Sequence, residues 1–444
     1  MEINGVKMMP SSLVNCLIDG NEVRIMELGT KAAKFRTASK LNQCKRIQMN
    51  FFVFVESRYE EIKLERFQIV EEREESFYYV YLATVEDQAY QSNVNQIIQS
   101  YTKYIQRKMT GDDSYCSEKM VGYPANLDDE YAANFEEQKK EWFQDLEFGN
   151  LDYSGYELAV GIDNPSRYQG YLEYGIYGYM QKLLKDNYLD HHPIAKTKVL
   201  RVYLGNQFCH NLLPEKRLLF RMMEQARREE LKITVVTTYL REDQIDEARQ
   251  LVDELYDWCQ KTQVMIELIV NDWGMVTLVN GKMDWIQPIL GVLLNKRRKD
   301  PRYAYKSGFT QYASQLAENN LEAPFYRELL EKDFGIKRYE YETCGYPIHL
   351  PSANHSLHLP YYQTNTSQYC TLYAKCTEHD RGKQTLVTHC PRYCEGLVFT
   401  YPVHLKMVGR YNSLFGMDST MLCDEQQVKE YREKGIDRIV LTLF

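Results

Sequence analysis

Tryptophan occurs only 4 times, histidine 9 times and proline 13 times in 444 residues, and no apolar run approaches the length that crosses a bilayer. The amino-terminal stretch Met-Glu-Ile-Asn-Gly-Val-Lys-Met-Met-Pro-Ser-Ser has no apolar core of signal-peptide length. The expectation is a soluble cytoplasmic protein with no membrane partner. A basic excess is also missing: 54 Lys and Arg against 62 Asp and Glu leave a formal net charge of -8. The field of the whole molecule therefore repels nucleic acid, and an RNA partner would have to meet a local basic patch. There is no Walker loop, no Gly-x-Gly-x-x-Gly and no nucleophile elbow. Phosphate cradles and serine-hydrolase chemistry of those kinds are excluded with them. No repeat of solenoid length and no low-complexity segment interrupts the chain.

What is present is ordinary globular material, 44% hydrophobic and 26% charged, enough for two or three domains with real cores. The 36 tyrosines are spread along the chain and read as half-buried rings on strand and helix surfaces. The 11 cysteines are an odd number in a chain with no export signal, which disfavours a disulfide framework and favours metal binding.

β-branched and aromatic residues in partial alternation predict strands at 22–26, 34–37, 46–55, 62–70 and 77–83, a small β-barrel or sandwich. Residues 88–108 switch to helical spacing, with Val94, Ile97, Ile98, Tyr101, Tyr104 and Ile105 on one face, expected against the barrel mouth. Residues 111–153 carry turn signals and an acidic helical stretch, the expected connection between domains. From there strand and helix patterns alternate. Strands are expected at 156–162, 198–204, 232–239, 264–270 and 288–294, with amphipathic helices at 215–229 and 242–260. Repeated strand–helix units predict an α/β fold with a mostly parallel sheet, a (β/α) barrel or a variant of one. After Gly335, strands are expected at 337–342, 355–363, 397–402 and 439–443, around a cysteine-rich stretch.

That stretch holds Cys370, Cys376, Cys390 and Cys394 within 25 residues. Four soft thiolate donors at this density can surround one metal or cluster, each close pair closing a short loop and Gly382 letting the chain turn back. Both pairs are wider than Cys-x2-Cys, so spacing leaves zinc and an iron–sulfur centre open. His379 and His389 read as loop histidines that could also serve a metal site. In His355-Ser-Leu-His358 the two imidazoles do not share one strand face, and with His349 they read as structural. Two strand ends bear polar groups where a (β/α) barrel keeps its chemistry: Gly205 to Cys209, and Asn271-Asp272-Trp273-Gly274, which could contact substrate or cap the next helix. The run from Asn295 to Arg302, with Arg298 at its centre, is the one dense basic segment. It could hold a phosphate, a carboxylate or an RNA backbone, or form a solvated loop.

Together, Val-Tyr-Leu-Gly-Asn-Gln-Phe-Cys209, the Asn271-Asp272-Trp273-Gly274 strand end and the cysteines after His358-Leu-Pro-Tyr361 resemble a family of collagenase-like peptidases, anaerobic ubiquinone-hydroxylation accessory proteins and enzymes that hydroxylate transfer or ribosomal RNA. The resemblance runs from about Tyr156 to the carboxyl terminus. It implies a TIM-like barrel over 154–444, a [4Fe-4S] cluster with zinc as the alternative, and a bacterial protein supporting oxygen-independent hydroxylation of an RNA base or an aromatic metabolite. A partner from the same family is also implied. It further implies ligands at Cys209, Cys390 and Cys394, with Cys370 or Cys376 as the fourth, so that five thiols compete for four places. Asn271, Asp272 and Arg298 are the candidate substrate contacts. The alternative is a non-catalytic regulatory or scaffold protein with a structural metal site. Peptidase activity is not expected, because no nucleophile–base pair or metalloprotease motif is present. Residues 1–110 resemble a PilZ domain with a carboxyl-terminal helix, Val23 to Arg36 standing in place of its binding motif. Gly29 matches, whereas Arg24 and Met26 occupy the acid or amide and serine positions, which argues against cyclic di-GMP binding.

Overall fold

The computed structural model describes residues 3–7, 9–10, 13–41, 44–53, 58–75, 78–110, 129–299, 317–352, 354–378, 383–400 and 406–444. It is a mixed α/β protein with two sheets. The chain divides into two compact units, one over 1–126 with 302–313 and 400–405, the other over 127–301, 314–399 and 406–444. Of the predicted connection, 111–128 lies outside the described residues, and the rest opens with helix Asp129–Phe143 of the second unit.

The first unit contains β1 (Val6–Lys7), β2 (Val14–Ile18), β3 (Asn21–Leu28), β4 (Ala32–Thr37), β5 (Ile47–Val53), β6 (Arg58–Leu64), β7 (Phe67–Glu75), β8 (Tyr78–Val85) and α1 (Gln88–Thr110). The strands pair antiparallel in the order β6-β5-β2-β3-β4-β8-β7, with β1 added to β3. On β3, Val23 and Ile25 point inward, and a register shift after Ile25 turns Leu28, not Glu27, back into the core. The single strand expected at 62–70 is two strands separated by Glu65 and Arg66, whose charges suit a bend better than a ladder. Helix α1 buries Val94 and Ile97 as its spacing predicts, with Ile98 and Tyr101 packed against the same core. Its amino-terminal Tyr90, which the helical stripe did not include, is wholly buried and donates to the Gly29 carbonyl at 2.7 Å.

The second unit contains α2 (Asp129–Phe143), β9 (Glu157–Ile162), α3 (Pro165–Lys185), β10 (Val199–Gly205), α4 (Lys216–Arg228), β11 (Lys232–Val236), α5 (Ile245–Thr262), β12 (Ile266–Val270), α6 (Trp273–Val279) and β13 (Ile286–Leu290). It continues with α7 (Pro324–Lys332), β14 (Glu340–Glu342), β15 (His355–Thr366), α8 (Thr371–Glu378), β16 (Phe399–Thr400), β17 (Met407–Arg410), β18 (Ser413–Met417), α9 (Thr420–Cys423), α10 (Glu425–Glu433) and β19 (Ile436–Thr442). Strands β13, β12, β11, β10, β9, β19, β15 and β14 are parallel in that order. A parallel bridge between Leu290, the last residue of β13, and Tyr339, just before β14, brings the two ends of this path together. The Leu290 N–H also donates to the Arg338 carbonyl at 3.1 Å. β17 and β18 form an antiparallel hairpin on the long carboxyl-terminal part of β15.

Two predicted strands end early. β11 stops at Val236, where the Thr237 hydroxyl bonds the Ile269 carbonyl, and β13 stops at Leu290, where Gly291 begins a turn held by Asn271. Helix α3, unmarked in the sequence reading, is capped by Asn164 and broken at Gly175, whose φ of 65° suits glycine. There the Glu229 carboxylate accepts from the Ile176 N–H at 3.1 Å.

Residues of alternate parity on the parallel strands stack in layers. The middle layer is the apolar cluster Ala159, Tyr203, Val236, Ile269, Ile289 and Val440. Two residues earlier on several of these strands lies a buried charge network. Arg438 donates to Glu157 at 2.7 Å and to both oxygens of Glu267 at 2.7 and 2.9 Å, and Arg201 bridges the same two carboxylates at 2.6 and 2.9 Å. Burial by itself would raise the Glu157 carboxyl, but the adjacent Arg438 and Arg201 charges prevail and hold it at about 2. A carboxyl depressed in the folded state contributes stability that is complete above its unfolded value, about 4.5, and that is lost as pH falls through about 2. Urea midpoints should therefore fall between these two pH values. Arg438→Met should cost about 3–5 kcal/mol at neutral pH, the penalty of stranding buried charge, and should weaken the acid dependence in the same measurement.

Candidate functional site

The carboxyl ends of the parallel strands carry the polar and thiol side chains that the sequence singled out. β10 ends at Gly205, whose φ of 128° and 2.1 Å approach of a hypothetical Cβ to the Val236 carbonyl leave no room for another residue. The chain then turns around Asn206. Its side-chain oxygen accepts from the Phe208 and Cys209 N–H groups at 2.8 and 2.9 Å, and its amide donates to the Asp163 carbonyl at 2.8 Å. Cys209 is thereby fixed just beyond the strand end, and the Phe208 carbonyl is held by Asn412 at 2.7 Å.

The stretch 370–378 is not the short loop expected between two cysteines. Cys370 immediately precedes helix α8 and Cys376 lies within it. The Cys370 sulfur accepts from the Tyr373 N–H at 3.3 Å and faces the Tyr411 carbonyl at 3.4 Å. Cys390 accepts from the Arg392 N–H at 3.4 Å, and Cys394 is buried in the turn Tyr393–Glu395. Every pair among Cys209, Cys370, Cys390 and Cys394 is close enough for one sulfur to disfavour ionisation of the other. For Cys376 the neighbouring sulfur with this effect is that of Cys370. Burial, more than this mutual repulsion, pushes Cys209 up to about 12 and raises Cys370 and Cys394. As they stand the Cys209, Cys370 and Cys394 thiols are neutral, and a cation would have to displace their protons. Among the described residues, no three His, Cys, Asp or Glu side chains are placed closely enough to hold a single ion. His389 is exposed, as its loop position predicts, and His379 lies outside the described residues.

The three candidate substrate contacts do not converge. Asn271 is buried; its amide donates to the Thr237 carbonyl at 2.7 Å and its oxygen accepts from the Leu293 N–H at 3.2 Å, joining three strand ends. Asp272 caps α6 by accepting from the Met275 N–H at 2.8 Å and also takes the Leu240 N–H. Arg298 is exposed and, with Lys296, borders an open surface depression of about 620 Å³. The basic run alternates, because Arg297 and Lys299 turn inward. Arg297 donates to the Glu342 carbonyl at 3.2 Å and touches the Cys344 sulfur, and Lys299 pairs with the Glu342 carboxylate, both members largely buried. Residues 300–302 of the run lie outside the described residues.

A small cavity of about 40 Å³ sits at the same end of the strands, lined among others by Asp163, Tyr203, Gln207, Glu342, His358 and Thr442. Gln207 belongs to the turn that carries Cys209, so cavity and thiols share a wall. Asp163 is held by Arg167 at 3.1 Å and by the Tyr411 hydroxyl at 2.9 Å. Glu340 goes unmarked in the sequence, and His358 reads there as structural. The only trace was Glu340-x-Glu342, two carboxylates on one face of a strand whose inward direction was unknown. No family model matches the chain, and no curated protein matches it.

Asp272→Ala should remove a helix cap together with the partner of Leu240, lowering stability by about 1–2 kcal/mol in urea denaturation. A substrate contact would leave that stability unchanged.

Proposed function

We propose that the second unit is a TIM-like (β/α) barrel bearing a thiolate-held metal centre at the carboxyl ends of its strands, with Cys209, Cys370, Cys390 and Cys394 as ligands. The observation that carries this is the mutual proximity of these sulfurs, drawn from the β10 turn, the start of α8 and the turn after it. The return of the parallel path through Leu290 and Tyr339 supports the barrel. The donor set fits a soft centre in kind. One zinc ion needs its sulfurs about 3.8 Å apart, given Zn–S bonds of about 2.3 Å. Thiols that interact but are not spaced for one ion favour the wider iron–sulfur cluster, and zinc is the alternative.

Such a cluster would supply electron transfer or Lewis-acid chemistry beside the cavity. Joined to the resemblance carried by Val202 to Cys209, this gives a cytoplasmic protein supporting oxygen-independent hydroxylation of an RNA base or an aromatic metabolite. Lys296 and Arg298 are the exposed cations of the basic run and could meet a phosphate backbone. The engagement of Asn271 and Asp272 within the fold favours one competing reading, a structural centre in a regulatory or scaffold protein. For the first unit we retain a PilZ-like barrel, supported by β6 and β7, the two ends of the pairing path, being consecutive in the chain.

Protein purified without oxygen should be brown and contain iron and acid-labile sulfide. Serine at Cys209, Cys370, Cys390 or Cys394 should each strip most of the iron, whereas Cys376→Ser should retain it. Colourless protein with stoichiometric zinc would replace the cluster by zinc, and protein with neither metal would end both forms of the proposal.

A further inference from the structure

Two histidines lie on β15, and their surroundings differ. His355 is satisfied on both sides: its Nδ1 accepts from the Tyr339 N–H at 3.3 Å, its Nε2 meets the Ser352 hydroxyl at 2.8 Å, and its ring stacks on Tyr339 at 4.7 Å. His358 instead lines the cavity, with Nε2 only 2.6 Å from the Glu340 carboxylate and Nδ1 3.4 Å from the Thr442 hydroxyl, a long contact at another lining residue. Glu340 is 0% exposed. Burial would raise its carboxyl, but the hydrogen bond and positive charge of His358, followed by the charges of Arg438 and Arg338, overcome this and hold it below the usual value. An ionised carboxylate only accepts, so Nε2 carries a hydrogen, and Nδ1 is the ring nitrogen turned toward Thr442 and the cavity. The Tyr203 hydroxyl, 3.1 Å from Glu340, and its ring, edge-on to His358 at 5.8 Å, fix both partners.

We propose that His358 is a proton acceptor oriented by Glu340, and that the cavity receives a hydroxyl group, either of a very small molecule or at the end of a larger one. The geometry matches the carboxylate–imidazole pairing that presents a nitrogen base in hydrolytic triads. Size and charge set the ligand class. About 40 Å³ holds roughly three waters, at about 10–15 Å³ of such space each. The lining carboxylates Asp163 and Glu342 already have Arg167 and Lys299, so an incoming anion would meet negative charge with no cation to spare among these partners. In the transfer, the ligand O–H bond breaks, an Nδ1–H bond forms, and the oxygen keeps the electron pair facing the new Nδ1–H, the cationic group that the step itself supplies. Glu340 balances the imidazolium through Nε2–H. No electron leaves the ligand, and the step does not depend on the thiol centre.

The test uses the full chain. In ¹⁵N-histidine NMR, His358 should show hydrogen on Nε2 and none on Nδ1. Deuterium exchange at its imidazole Cε1, read by mass spectrometry, should run at least about tenfold faster than at sealed His355, the internal control for solvent reach. Glu340→Gln should abolish the tautomer preference. Methanol should perturb the His358 Nδ1 resonance, less in Thr442→Val, and acetate should not. Hydrogen on Nδ1, or exchange as slow as at His355, overturns the proton-acceptor role. A response to acetate alone, or to neither probe, overturns the hydroxyl site. Loss of iron in the cysteine variants with these signals intact would bear on the thiol centre only.

Discussion

The Arg438 guanidinium, 2% exposed, ties β19 to Glu157 on β9 and to Glu267 on β12, and Arg201 on β10 answers the same two carboxylates. Four parallel strands are thus joined through one ionic layer. A buried pair of this kind adds little net stability over apolar packing, but it penalises every arrangement that separates its members. A slip of one residue in any of these strands would turn a charge outward and bring an apolar neighbour in. The layer therefore acts as a register lock, and the level at which each strand ends follows from it.

Polarity then changes with height. Above the charges comes the apolar layer of Ala159, Tyr203, Val236, Ile269, Ile289 and Val440, and above that the cavity with Gln207, Glu342, His358 and Thr442. Tyr203 spans the change: its hydroxyl takes a hydrogen bond from Arg438 at 3.0 Å and lies 3.1 Å from Glu340. Glu340 in turn receives His358. The carboxylate beneath the imidazole is ionised partly because the charges that lock the register are close by. Arg438 thus serves both the fold and the ionisation of Glu340.

Much of this was legible because the signals were local. Strands β9 to β12 and helices α4 and α5 follow from apolar periodicity, and the strand-end position of Cys209 follows from Gly205. The cap that Asp272 makes with the Met275 N–H is local and was one of the two readings offered, whereas the hold of Asp272 on Leu240 and of Asn271 on Thr237 and Leu293 depends on other turns. His358 read as structural because two histidines three residues apart alternate across a strand. What sets His358 apart is not its relation to His355 but the carboxylates on a neighbouring strand paired in register, Glu342 opposite His358 and Glu340 one layer below. Register between distant segments has no local signature. The same holds for Lys299, a surface cation by composition, which turns inward because Glu342 is there to meet it.

The choice between Cys370 and Cys376 turns on helix geometry. Density in sequence treated the two as equivalent, because a loop can fold both toward one point. Residues 371–378 are helical, so a separation of six residues becomes a rise of about 9 Å and a turn of about 240° at 1.5 Å and 100° per residue. The two sulfurs then cannot both face a compact group. Cys370, at the amino-terminal end beside the Tyr411 carbonyl, is the one that meets Cys209, Cys390 and Cys394, and Cys376 is carried away by the helix that holds it. A pair that looked local by count is separated by secondary structure, while Cys209, remote in sequence, is brought in by the order of the strands.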